Sequence, residues 1–167
     1  MSLNVRFSAV LIFGWLCQAA VVPFISLGPI KPDLILIIVA TLGFIDGPAI
    51  GAAGGFLGGL LQDLLTARSV GVEALIKTLV GYFSGQVERT ILGDSALMPM
   101  FAIGAVSLVS QTLYIGLAFL VGEPIEFFPA MGGVVVPSAL YTALIGSVAF
   151  PYLSRLLSAE RQAKVFK

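Results

Sequence analysis

Long apolar runs broken by short polar clusters organise this chain, and the breaks predict a series of membrane-length helices. The first run, about residues 7–27, is long enough to cross a bilayer, which takes roughly 20 apolar residues, and Pro23 is placed to end or bend it. The second holds twelve uncharged residues from Leu34 to Ile45 and follows Pro32-Asp33, a proline and an acid suited to a helix start. The third spans residues 48–65, the fourth about 72–88 with Lys77 inside it, the fifth 97–121 and the sixth 128–157. Pro137 and Pro151 mark kink points in the sixth. Asp94 or Ser95 can cap the fifth.

The second and third segments pose a choice. Residues 34–62 form either one span broken at Asp46-Gly47-Pro48 or two helices joined by a tight turn there. A single helix of that length would run about 43 Å, too long for an upright crossing. Asp-Gly-Pro is a strong turn signal, so two short helices are preferred. Six crossings result, in one integral membrane domain covering residues 1–167.

Glycine then distinguishes the third segment. Six of the thirteen residues from Gly47 to Gly59 are glycine, with no charge between Asp46 and Asp63. Gly47, Gly51, Gly55 and Gly59 form an i+4 row, and Gly54 with Gly58 forms a second. In water each interior glycine would cost about 0.5–1 kcal/mol of helix stability relative to alanine. In a bilayer an unpaired backbone group costs more, so the helix persists. Its small-residue rows let other helix backbones approach closely. Two rows suit packing among several neighbours better than a single dimer seam, with partner contact a secondary use.

Composition agrees with a membrane bundle. The chain of 167 residues is 58% hydrophobic and 11% charged, with a mean hydropathy of +1.05, against about 25% charged for soluble domains. Nine basic and nine acidic residues cancel, which removes the electrostatic case for nucleic-acid binding. One cysteine, Cys17, and no histidine exclude an intrachain disulfide and a Cys/His metal site. The apolar run after Arg6 outlasts a signal-peptide core and has no small-x-small cleavage site, so it reads as a retained first helix.

Charge placement sets topology. With the N-terminus inside and six crossings, Arg6, Arg89, Arg155, Arg161, Lys164 and Lys167 fall on the cytoplasmic side, and Lys31 and Arg68 outside. The basic excess inside places both termini in the cytoplasm, with a basic tail at 158–167 able to lie on the membrane surface.

Asp63, Arg68, Glu73 and Lys77 form the candidate polar cluster at the outer face. Glu73 and Lys77 share a helix face at i, i+4. The cluster reads either as a solute or proton site or as a neutralised helix-end network in which Lys77 snorkels outward. Glu88, Arg89, Glu123 and Glu126 read as solvated loop charges. Gln111 lies at mid-membrane and calls for an interhelical hydrogen bond, and Trp15 reads as packing inside the first segment. No nucleophile elbow, P-loop, histidine base or pair of inward carboxylates at catalytic spacing is present, so no enzyme and no cofactor is inferred.

One family accounts for the ordered motifs of residues 31–82. Lys31-Pro32-Asp33-Leu34-Ile35-Leu36, Gly47-Pro48, Gly51-x-x-x-Gly55-Phe56-Leu57-x-Gly59-Leu60-Leu61-x-Asp63-Leu64, Gly71-Val72-x-Ala74-Leu75 and Gly81-Tyr82 follow in turn. The run resembles MreD, the rod shape-determining inner-membrane protein of bacteria. The resemblance implies a non-enzymatic subunit of the cell-elongation machinery that pairs with MreC. Through MreC it would connect to MreB and to the RodA–penicillin-binding-protein synthase of lateral peptidoglycan. The family is also similar in architecture to the substrate-binding S components of energy-coupling-factor vitamin transporters, which supplies the alternative function. That alternative predicts an aromatic-lined polar pocket near the outer face and a small-residue docking strip on the first helix. The first helix has Ala9, Gly14, Ala19 and Ala20 but no i+4 row among them.

Overall fold

A helix that is apolar on every side belongs inside other helices, and the segment from Leu34 to Asp46 is such a helix. A computed structural model of the chain describes residues 3–66, 71–87, 97–120 and 127–165. Arg68, Glu88, Arg89, Asp94, Ser95, Glu123, Glu126 and Lys167, and the side chains of Arg6, Arg161 and Lys164, lie outside the described set. The described elements are α1 (Leu3–Ala20), α2 (Val22–Ile25), α3 (Leu34–Asp46), α4 (Pro48–Thr66) and α5 (Val72–Ser84). They continue with α6 (Leu97–Leu120), α7 (Phe127–Ala130), a π-helical turn (Met131–Val135) and α8 (Val136–Val165). The protein is all-α, and among the described residues the one β-type pairing is an isolated bridge between Leu27 and Ile30.

Every residue of α3 from Ile35 to Ile45 is buried. Ile38 and Leu42 pack with Leu11 of α1 and Leu157 of α8. Ile37, Ala40 and Phe44 pack with Ile103 of α6, and Leu36 packs with Ile76 and Val80 of α5. The Phe44 ring also meets Phe150 edge-on, with centroids 6.4 Å apart. Thirteen residues give α3 a length of about 20 Å. That shortness is tolerable because protein, not lipid, surrounds it.

The outer helices turn large apolar side chains away from this axis. Phe56, Leu57 and Leu64 of α4, Leu75 and Phe83 of α5, and Phe101 and Phe119 of α6 are exposed. Three helices are long and apolar enough to cross a membrane: Pro48–Thr66, Leu97–Leu120 and Phe128–Leu157. Phe7–Ala20 and Leu34–Asp46 are shorter apolar helices.

Three element ends differ from the sequence-based boundaries. The first segment does not run unbroken to Leu27; α1 stops at Ala20 and Pro23 lies in the first turn of α2. Proline has no N–H to donate back along the ladder, so the break falls just ahead of it. The chain then turns at Gly28 (φ +63°), where Leu27 and Ile30 exchange backbone hydrogen bonds. The fourth segment ends as a helix at Ser84, four residues earlier than its expected end at residue 88. The last helix has no separate basic tail, since α8 continues to Val165 with Pro151 inside it. Its irregularity precedes Pro137: Val136 N–H donates to Met131 O in a π-type bond. The extra residue in that turn takes up the proline's lost hydrogen bond and ring clash.

Candidate functional site

The C-terminal end of α4 and the N-terminal ends of α3 and α5 converge, and every ionised side chain of the site comes from these ends. Asp63, in the last turn of α4, is buried. Its Oδ2 accepts from Gly71 N (2.8 Å) and Ala74 N (3.2 Å), and its Oδ1 from Glu73 N (3.1 Å). Three of the free N–H groups at the start of α5 are thus satisfied by a carboxylate from the preceding helix. A capping residue normally sits in its own helix start; here Gly71 holds that position with φ +102° and no side chain to use.

Lys77 is entirely buried, so it does not snorkel to an interface. Its Nζ donates to Asp33 Oδ2 at 2.7 Å and to Glu73 Oε2 at 2.8 Å. The i, i+4 partner Glu73 is the local half of this triad. Asp33 comes from 44 residues away and also caps α3, its Oδ1 accepting from Leu36 N at 2.9 Å. Asp63 makes no ion pair with Lys77 among the described residues, so the expected cluster is divided differently in space. Asp33 takes the place beside Lys77, and Asp63 serves backbone.

Charge balance explains why three acids can share one lysine. A desolvated ion costs several kcal/mol unless it is paired and hydrogen-bonded. Asp33, Asp63 and Glu73 all lie at helix N-termini, where the aligned peptide dipoles present about half a positive charge per helix. The starts of α3 and α5 therefore supply what Lys77 alone does not.

Polar side chains of α1 and α8 hold the segment leading into α3. Gln18 donates to Pro32 O (3.2 Å) and accepts from Leu34 N (2.8 Å). Ser138 accepts from Lys31 N (3.3 Å), Thr142 accepts from Asp33 N (3.1 Å), and Tyr141 donates to Ile25 O (3.0 Å). These residues are scattered singly through apolar runs and gave no motif. Their one sequence signal is the Ser138/Thr142 pair at i, i+4, a polar notch on an otherwise apolar helix.

A cavity of about 410 Å³ opens beside the triad, lined by residues that include Gln18, Lys31, Asp33, Gln62, Glu73 and Gln111. Gln62 Oε1 is shielded from solvent without a hydrogen-bond partner. Gln111 makes no interhelical bond; its amide donates to Ser107 one turn back on α6 at 3.0 Å and its side chain faces the cavity wall. Trp15 donates to Leu61 O at 2.7 Å, tying α1 to α4 next to Gln62.

The glycines divide into two working faces. A Cβ on Gly51, Gly55 or Gly59 would strike α5 backbone, at Gly81 O, Lys77 O and Glu73 O respectively. One on Gly54 would meet Leu42 of α3 at 2.9 Å and Phe7 of α1 at 3.3 Å, and one on Gly58 would meet Ile35 at 2.8 Å. One row seats α5 and the other seats α3 and α1. Gly47 does not belong to the strip: it is the C-cap of α3 and a Cβ there would meet nothing within 4 Å. Its role is conformational, since its φ of +90° and ψ of −178° are open to glycine alone.

A family model described as rod shape-determining protein MreD matches residues 1–159. The chain belongs to the MreD family. It is thus a membrane protein of a family concerned with cell shape, and the match extends well beyond the motifs of residues 31–82. No curated protein and no solved structure matches it. Within this family member, the motif residues Asp33, Gly51, Gly55, Gly59, Asp63 and Gly81 all lie on the seams joining α3, α4 and α5.

Proposed function

We propose that this chain is a non-enzymatic inner-membrane subunit of the bacterial cell-elongation complex. In this reading it binds MreC and, through MreC, acts with MreB and the RodA–penicillin-binding-protein synthase to direct lateral peptidoglycan synthesis. The observation that carries it is the family match across residues 1–159. The physical form suits a scaffold: a buried axis, backbone-to-backbone seams, and broad apolar outer faces open to lipid or to a partner's helix. Six crossings with both termini cytoplasmic complete the proposal. The segment α1–α2, the helices α3, α4, α5 and α6, and the run from α7 to α8 are then the spans, and Asp33, Asp63 and Lys77 lie toward the outer end.

The S-component alternative is tested by the polar cavity. Its lining contains no aromatic side chain, although stacking on aromatics is what a flat vitamin ring would use. Co-expression in a bacterial membrane decides between the two readings. Recovery of MreC with the tagged chain supports the scaffold, and failure to recover it together with tight binding of a vitamin overturns it. Cysteine labelling from the two sides of the membrane reports the termini; a periplasmic C-terminus would refute the six-crossing arrangement.

A further inference from the structure

The cavity beside the ion triad offers a specific set of free valences. Asp33 and Glu73 each give one oxygen to Lys77, and Asp33 spends its other on Leu36 N. Glu73 Oε1 remains unbonded among the described residues, and the Glu73 side chain is 15% exposed. Gln62 supplies a second free acceptor in Oε1, shielded from solvent in the same wall. An amide oxygen kept from water without a donor is costly, on the order of 1–3 kcal/mol. Two acceptors, one of them ionised, fit a protonated primary amine better than any neutral donor.

The rest of the lining adds an opposite charge. Lys31 is exposed, forms no ion pair among the described residues, and lines the same cavity. With Lys77 behind the wall, the local ions Lys31, Lys77, Asp33 and Glu73 sum to zero, so a ligand carrying net charge gains nothing from the site as a whole. A zwitterion matches both ends.

From this geometry we infer that the cavity is a binding site for a small zwitterion in which a primary ammonium is linked by a short chain to a phosphate or carboxylate. The ammonium donates to Glu73 Oε1 and Gln62 Oε1, and the anionic group pairs with Lys31. About 410 Å³ holds a group of that size. An ethanolamine phospholipid headgroup and a free amino acid share this chemistry. The apolar rim at Val22, Pro23 and Leu65 leaves room for the acyl chains of the first.

The single tryptophan is a built-in reporter, since Trp15 bonds to Leu61 O next to Gln62. The test is a fluorescence titration of the full-length, delipidated protein in detergent. Phosphatidylethanolamine, glycerophosphoethanolamine and L-alanine are the probes, with phosphatidylcholine and phosphatidylglycerol as controls. Phosphatidylcholine has no N–H to donate, and phosphatidylglycerol has no cation. A saturable change with phosphatidylethanolamine alone assigns a lipid headgroup. A change with a soluble probe as well assigns a free zwitterion.

Gln62→Leu and Lys31→Ala should each weaken the response about tenfold, the loss of one charge-assisted bond. Both proteins should keep their elution volume and baseline emission, because neither residue belongs to the Lys77 triad. No response to any probe, equal response to phosphatidylcholine, or full affinity in both variants overturns the proposal.

Discussion

Lys77 Nζ lies 2.7 Å from Asp33 Oδ2, and this contact joins the start of α3 to the interior of α5 across 44 residues of sequence. Removing one member of a buried ion network leaves the others uncompensated, at a cost of about 3–5 kcal/mol. Lys77→Met should therefore lower the thermal midpoint in detergent more than any surface change. Adding Asp33→Asn and Glu73→Gln to Lys77→Met should recover part of the loss, because the orphaned charges go while an asparagine still caps α3. A triple variant no better than the single one would show that the network does not act as a unit.

Gly55→Ala should be worse than Leu57→Ala, although it adds one methyl where the other removes three carbons. A Cβ at Gly55 overlaps the Lys77 carbonyl, whereas Leu57 is 44% exposed on the opposite face. Forcing α4 from α5 costs on the order of 1–3 kcal/mol as overpacking. Gly116→Ala is the matched control, since its Cβ would meet nothing within 4 Å. Equal midpoints for the two glycine variants would refute the close approach of the helices.

Asp63→Ala should free three backbone N–H groups at the start of α5, costing about 2–3 kcal/mol. Hydrogen exchange is the discriminating measurement, with faster exchange at Gly71, Glu73 and Ala74 and little change in the centre of α3. Uniform acceleration across the chain would mean that Asp63 supports the whole fold rather than one helix end.

Gly47→Ala separates conformation from space. The site has room for a Cβ, yet its backbone lies where side chains are rarely tolerated, so the substitution should cost about 1–3 kcal/mol. A midpoint indistinguishable from that of Gly116→Ala would refute the conformational argument.

Gly47 also shows where reading along the chain misled. Its i+4 spacing joined it to Gly51, Gly55 and Gly59, but Pro48 starts a new helix and places Gly47 outside it. The other five glycines were legible as small-residue rows because helical periodicity alone puts them on faces. Which neighbour each face meets was not legible, because that depends on how three helices cross. The charged cluster divided the same way. Glu73–Lys77 is a local pair visible in spacing, and Asp33 was recognised as a helix start. Its bond to Lys77 is a long-range contact that no spacing encodes.

The sequence by itself determined an all-helical membrane protein with its family motifs, since composition, run length and glycine periodicity are properties of residues in order. Tertiary structure alone decided that the short α3 is the buried axis and that Asp63 caps a helix other than its own. It also decided that Lys77 is held inside by Asp33 and that Gln18, Gln62 and Gln111 share one cavity with the triad. Each of these depends on bringing distant, individually weak signals within a few ångströms, where desolvation makes an unpaired charge or amide costly and so fixes its partner.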